Sequence, residues 1–194
     1  MDHLLELDRD VFLFLNSLNT PWLDSVMPWI TRTESWIPLY LVLLYLVIRE
    51  FRKDSWAVLV GIALTIVIAD QVTSNLMKPF FERLRPSHDP TLEGLVHIVN
   101  GYRGGLYGFA SGHAANTFGV TTFLVSVLSR YRWMSWLFLW AGLMTYSRIY
   151  LGVHYPGDIL VGAIVGITGA LLSLRLTRYW LERFGRQGSG VELH

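Results

Sequence analysis

Long apolar stretches separated by short polar clusters set the rhythm of this chain. Five stand out: Trp36–Ile48, Trp56–Ala69, Ala114–Leu128, Trp133–Tyr146 and Ile159–Leu176. Most fall short of the roughly 20 residues a spanning helix needs. Each, however, extends at one end through polar residues that would face a bundle interior instead of lipid. The stretch from Trp56 continues in this way through Asp70, Thr73, Ser74 and Asn75 to Met77. The pattern predicts an all-α, polytopic transmembrane bundle of five or six spans. A soluble bundle of buried core helices is the rival reading.

The N-terminus follows a different pattern. Leu4, Leu5, Val11, Phe12, Phe14 and Leu15 are interleaved with Glu6, Asp8, Arg9 and Asp10, which predicts an amphipathic helix lying in the membrane interface. Asn19-Thr20-Pro21 then starts a second short segment, Trp22 to Ile30. Taken together, the two pieces are alternatively a sixth, irregular span. The first residues lack a basic stretch followed by an apolar core, so no cleaved leader is expected. One membrane domain is expected over residues 1–180, with a polar, glycine-rich tail at 181–194.

Composition sharpens this picture. Of the 194 residues, 52% are hydrophobic and only 16% are charged, against about 25% charged in soluble domains. Mean hydropathy is +0.38. A net charge of +1 gives no field that would attract nucleic acid, and the lack of cysteine excludes disulfides and thiolate metal sites. Arg49, Arg52, Lys53, Arg130, Arg132, Arg175, Arg178, Arg183 and Arg186 fall at alternate ends of the five spans, hence on one side. The positive-inside rule makes that side cytoplasmic. Residues 1–35 carry only Arg9 and Arg32 against six acids and suit the opposite face. Tryptophans 22, 29, 36, 56, 133, 136 and 180 are placed as interface anchors.

The chemistry sits in three short strings, all on the exterior side of this topology. Lys78 and Arg85-Pro86 come first, with Pro79 expected to end the preceding helix. Ser111-Gly112-His113 follows, with Ser111 as helix cap and the Gly112 and His113 amides as an anion site. Ser147-Arg148-x5-His154-x3-Asp158 is the last, with Pro156 at the first position of a helix and Asp158 in its first turn. There Asp158 can orient the His154 imidazole as a triad carboxylate does. Two histidines, three fixed cations and one carboxylate are a parts list for breaking a phosphate ester without a metal. The cations neutralise the phosphate, one histidine attacks, and the other protonates the leaving oxygen.

Some features of the sequence remain open. The glycines around Arg103 read either as a lid over the phosphate or as a flexible connection. His88 and His97, beside Asp89 and Glu93, read as a solvated loop in preference to a metal site. Asp70 is expected to face the bundle interior.

Lys78-x6-Arg85-Pro86, Ala110-Ser111-Gly112-His113 and Ser147-Arg148-x5-His154-x3-Asp158 resemble the three-part signature of the type 2 phosphatidic acid phosphatase superfamily. That group comprises integral membrane lipid phosphatases and, more distantly, vanadium-dependent haloperoxidases. The resemblance covers residues 35–180 with order and spacing kept. It departs at Ala110, where the family usually has proline, a position that shapes the turn and carries no chemistry. The resemblance implies His154 as the nucleophile forming a phosphohistidine, Asp158 as its orienting carboxylate and His113 as the general acid. Lys78, Arg85, Ser111, Gly112 and Arg148 would cradle the phosphate, with no metal and no cofactor. The expected partners are a lipid phosphate and the bilayer of a bacterial inner membrane, with the site facing the periplasm or exterior. Undecaprenyl diphosphate leads the expected substrates, before phosphatidylglycerophosphate, phosphatidic acid and lipid A phosphates. An ion-coupled transporter and a haloperoxidase-like enzyme are the alternatives.

Overall fold

The computed structural model describes residues 2–184, and the sequence's polar tail from residue 185 lies outside them. The described chain is helical throughout, with a lone bridge between Leu84 and Tyr107 in the long loop. Eight helices follow in order: α1 (Asp2–Ser17), α2 (Pro21–Ile30), α3 (Ile37–Phe51), α4 (Ser55–Asp70), α5 (Lys78–Phe81), α6 (Gly112–Val127), α7 (Leu137–Tyr150) and α8 (Pro156–Phe184). The five apolar stretches map onto α3, α4, α6, α7 and α8. The last runs on unbroken to Phe184, past the point where the sequence placed the start of the tail.

Pro79 does not end the helix it sits in. Residues Gln71–Met77 wind as a π-helix, and α5 continues through Pro79 until Glu82 turns into the left-handed region at φ 44°. The wider π turn relieves the clash a proline ring normally makes with the carbonyl four residues back. It also keeps Asp70, Ser74 and Lys78 nearly in line, with Lys78 Nζ donating to Ser74 Oγ at 3.2 Å.

At the centre of the bundle α6 packs against α8 and α4. Glycines set this approach: a side chain at Gly162 or Gly166 on α8 would collide with the backbone of Ser111 or Ala115 on α6. Small residues let helix backbones come close where lipid offers no hydrophobic drive to associate. Gly166→Leu is therefore expected to destabilise by more than the roughly 1–3 kcal/mol of ordinary overpacking. Loss of the monodisperse detergent-solubilised peak would show this, whereas a wild-type elution and melting profile would contradict it.

The two ends of the bundle differ. At one end Glu50 bonds the Tyr131 hydroxyl at 3.0 Å and approaches Arg130 at 3.8 Å, while Trp56 meets Trp180 at 4.3 Å. Those contacts join the end of α3, the start of α4, the end of α6 and the end of α8, where the basic residues gather. The three signature strings occupy the other end. Between the ends, Leu41, Val60, Val67, Leu139, Ile164 and Leu171 point outward and exposed. An apolar belt of this extent marks a surface made for lipid.

Both N-terminal helices lie at the signature end. Asn16 Nδ2 donates to the Ile149 and Tyr150 carbonyls at 3.2 and 2.9 Å, covering free carbonyls at the end of α7. Tyr150 Oη donates to Asp24 Oδ1 at 2.6 Å and meets the Thr20 carbonyl at 3.2 Å. At its other end α2 hands over to Thr31, whose Oγ1 meets Arg148 only half a turn earlier on α7. Helix α2 thus crosses the end of the bundle and does not run along it.

Candidate active site

Backbone hydrogen bonds draw the three strings together. Ser111 N–H donates to the Asp158 carbonyl at 2.9 Å, locking the start of α6 to the start of α8. Gly108 N–H reaches the Arg83 carbonyl at 2.9 Å, and Ser87 N–H reaches the Gly152 carbonyl at 2.9 Å. The tight turn out of α7 passes through Gly152 at φ +71°, where a side chain would press on Val96 Cγ1. Glycine alone adopts that conformation freely, and the turn delivers His154 into the interior.

His154 is 2% exposed and Asp158 is fully buried. His154 Nδ1 lies 3.4 Å from Asp158 Oδ2, which also accepts the Tyr155 N–H at 3.0 Å. Burial, and then the charges of Arg85, Arg148 and Lys78, push the His154 imidazole well below its ordinary range. The ring is therefore neutral at physiological pH, the state a nucleophile requires. Gly108 closes over this pair: a Cβ there would sit 3.0 Å from Asp158 Oδ2 and 3.6 Å from His154 Nδ1.

The cations converge on the same place. Arg85 is held by Nε donating to the Tyr107 carbonyl at 3.1 Å. Arg148 donates Nη1 to Thr31 Oγ1 at 2.8 Å and Nη2 to Tyr102 Oη at 3.2 Å. Its buried Nε has no partner among the described residues, leaving a donor for an anion. Lys78 lies within electrostatic reach of both arginines. A multivalent anion seated among these three cations would offset their mutual repulsion. Ser111 caps α6, its Oγ accepting the Ala114 N–H at 3.4 Å, and Gly112 sits against Thr73 and Ser74 of the π-helix.

His113, in the first turn of α6, interacts with the Thr31 carbonyl and lies within reach of Arg148, His154 and Arg85. Its ring borders a cavity of about 540 Å³ lined mainly by apolar residues of α3, α4, α6 and α7, with Leu44 and Leu59 among its exposed members. Two buried polar atoms in the cavity residues, Asn116 Oδ1 and Trp140 Nε1, have no partner among the described residues. Asn116 is oriented by Nδ2, which donates to Asp70 Oδ1 at 2.9 Å.

Sequence reasoning passed over four residues that shape the site. Thr31 and Tyr102 hold Arg148, and nothing in their spacing announces it. Arg83 lies inside the first string and bonds Asp158. Asp8 bonds Arg83 and was legible only as one acid on the polar face of α1. The long loop is a folded element and not a loose connection. Ser87 Oγ donates to the Arg103 carbonyl at 2.8 Å while Arg103 Nη1 donates to the Ser87 carbonyl at 2.7 Å. His97, expected in a solvated loop, is half-buried and pairs with Asp24 at 2.7 Å.

Helices clad in apolar side chains, with two histidines, a carboxylate and clustered cations at one end, define a membrane enzyme of phosphate chemistry. The PAP2 superfamily profile matches residues 55–182, and the chain belongs to that family, as a membrane lipid phosphatase. A lipid A 4'-phosphatase of Bacteroides thetaiotaomicron is 43% identical over 175 residues, covering 89% of this chain and 77% of the relative. A second, from Porphyromonas gingivalis, is 37% identical over 170 residues, covering 86% and 71%. The crystal structure of Aquifex aeolicus LpxE aligns with a TM-score of 0.65 at 30% identity, covering 87% of this chain and 95% of that one. A transmembrane PAP2-type phosphatidylglycerolphosphate phosphatase from Bacillus subtilis shares the fold, with a TM-score of 0.64 at 23% identity over 96% of this chain and 90% of its own. Membership together with these phosphatase relatives makes the protein a phosphoric ester hydrolase.

Proposed function

We propose that the protein hydrolyses the 4'-phosphate of lipid A, or of a closely related acylated sugar phosphate, at the periplasmic face of the inner membrane. The carrying observation is the apolar cavity that begins at His113. It offers room for a lipid tail beside the phosphate cradle. Its lining is mainly apolar, from Leu43, Leu44, Val47, Ile62 and Leu124, which suits acyl chains. The sequence's preference for undecaprenyl diphosphate gives way because two strong relatives are lipid A 4'-phosphatases.

In this mechanism Lys78, Arg85, Arg148 and the Gly112 amide hold the phosphate oxygens. The free Nε2 of His154 attacks phosphorus while Asp158 retains the proton on Nδ1. A P–N bond forms as the P–O bond to the lipid breaks, and His113 gives its proton to the departing oxygen. Water, deprotonated by His113, then attacks the phosphohistidine, releases inorganic phosphate and restores both rings.

Gathering of the basic residues at the far end supports a cytoplasmic location for that end. The crossing of α2 supports five spans, with α1 and α2 at the outer interface. Phosphate release from detergent-dispersed lipid A, phosphatidic acid and undecaprenyl diphosphate tests the proposal. Lipid A is expected to give the highest kcat/KM, undiminished by EDTA and blocked by vanadate. Higher kcat/KM on undecaprenyl diphosphate would overturn the substrate, and a magnesium requirement would overturn the mechanism.

A further inference from the structure

Arg83 belongs to the first signature string but does not join the phosphate-facing cations. Its Nη1 donates to Asp158 Oδ1 at 2.9 Å and its Nη2 to Asp8 Oδ2 at 2.8 Å. The guanidinium carbon lies 4.0 Å from the centroid of the Tyr155 ring. Asp8 has a second anchor, its Oδ1 accepting the Gly157 N–H at 2.7 Å from the first turn of α8. One planar fork therefore ties α1 to the helix that carries the catalytic carboxylate.

We propose that Arg83, held in place by Asp8 of α1, is a positioning residue that keeps Asp158 ionised and fixed so that His154 attacks from the correct tautomer. The inference rests on the phosphatase reading above. A fully buried carboxylate without a counter-charge takes up a proton, and a protonated Asp158 no longer serves as acceptor for the His154 Nδ1–H. Arg83 supplies that counter-charge from the side away from the nucleophile. Asp8 balances the second half of the guanidinium, so a further cation beside the phosphate cradle is neutralised. Arginine suits the task where lysine does not, because its donors are fixed in a plane and reach two carboxylates at once. Stacking on Tyr155 fixes the plane further. Through this contact α1 is part of the catalytic assembly as well as a candidate surface helix.

The charged and titratable groups around the relay come from each neighbouring element. Asp8 faces it from α1, and Arg83 and Arg85 from the loop after α5. His154 and Tyr155 face Asp158 from its own turn, and Asp89 reaches the Tyr155 hydroxyl at 2.9 Å. Lys78 and Arg148 act on His154. Among these, Arg83 alone makes a charged hydrogen bond to Asp158 Oδ1.

The test is the pH profile of p-nitrophenyl phosphate hydrolysis by purified wild type, Arg83→Gln, Arg83→Lys and Asp8→Asn. Arg83→Gln is expected to lower kcat roughly 10–100-fold, the scale on which groups that orient a directly acting residue are felt. KM should stay near wild type, because Arg83 does not hold the phosphate. The acidic limb should move to higher pH, since Asp158 without its cation is protonated sooner. Arg83→Lys keeps the charge, so the limb should stay in place while kcat recovers only in part. Asp8→Asn keeps the acceptor for Gly157 and leaves Arg83 charged, so kcat should fall modestly with no upward shift of the limb. A uniform loss at every pH, or a raised KM with kcat intact, would overturn the relay in favour of a structural or phosphate-binding role. If Arg83→Gln does not fold, Arg83→Lys decides: kcat reduced at constant KM supports the relay, and wild-type kcat refutes it. Wild type inactive on both this ester and lipid phosphates would instead sink the phosphatase reading itself.

Discussion

Replacing His154 with alanine is expected to abolish turnover, by roughly the 10⁶-fold seen when the nucleophile of a covalent mechanism is removed. No other group in the site has both a free ring nitrogen and a carboxylate behind it. The imidazole is kept neutral by burial and then by its cationic surroundings, and is paired through Nδ1 with Asp158. The cradle does not depend on it, so His154→Ala should still bind inorganic phosphate with affinity close to wild type, while vanadate, which needs the imidazole nitrogen to become five-coordinate, should bind more weakly. Rapid quenching of wild type with a ³²P-labelled substrate should give an acid-labile, alkali-stable phosphoenzyme, and the variant should give none. Residual turnover above a thousandth of wild type, or a labelled variant, would place the nucleophile elsewhere. Asp158→Asn should give a smaller loss, on the order of 10⁴-fold, since the ring survives but loses its tautomeric control.

How much of this was legible in the sequence depends on the range over which each feature is determined. The five apolar stretches, the Ser111 cap and Pro156 at the head of α8 are local, and the chain declares them directly. Lys78, Arg85, His113, Arg148, His154 and Asp158 each lie at a helix end or in the adjoining loop. A bundle of antiparallel helices brings such ends together, so their meeting follows from topology. The path through Pro79 was misread because a π-helix leaves no mark in hydropathy. The supports were not legible for a similar reason. Thr31 and Tyr102 lie 117 and 46 residues from Arg148, which they hold. Asp8 lies 75 residues from Arg83. No periodicity links residues that meet only after a loop has folded across the end of the bundle. The proposed substrate differs from the one the sequence favoured because the cavity beside His113 is shared by four helices, and no local motif announces it.

His113 should behave differently from His154, and the difference is itself the test. The proposed mechanism asks it to protonate the leaving oxygen, so its value depends on how basic that oxygen is. A sugar alkoxide has a high pKa and cannot depart unprotonated, whereas p-nitrophenolate departs readily without help. General acid assistance contributes roughly 10²–10⁴-fold where it is needed. His113→Ala is therefore expected to lose that factor on lipid A and far less on p-nitrophenyl phosphate. With the activated ester the first step survives while activation of water is lost, so phosphohistidine should accumulate and give a burst of p-nitrophenolate followed by slow turnover. The position of the residue fits this role, since it borders the apolar cavity and lies within reach of Arg148, His154 and Arg85. Equal losses on both substrates would assign His113 to phosphate binding or to holding Thr31 in place. Phosphate trapped on His113 would reverse the two histidines, because in-line displacement allows only one of them to face phosphorus opposite the leaving oxygen.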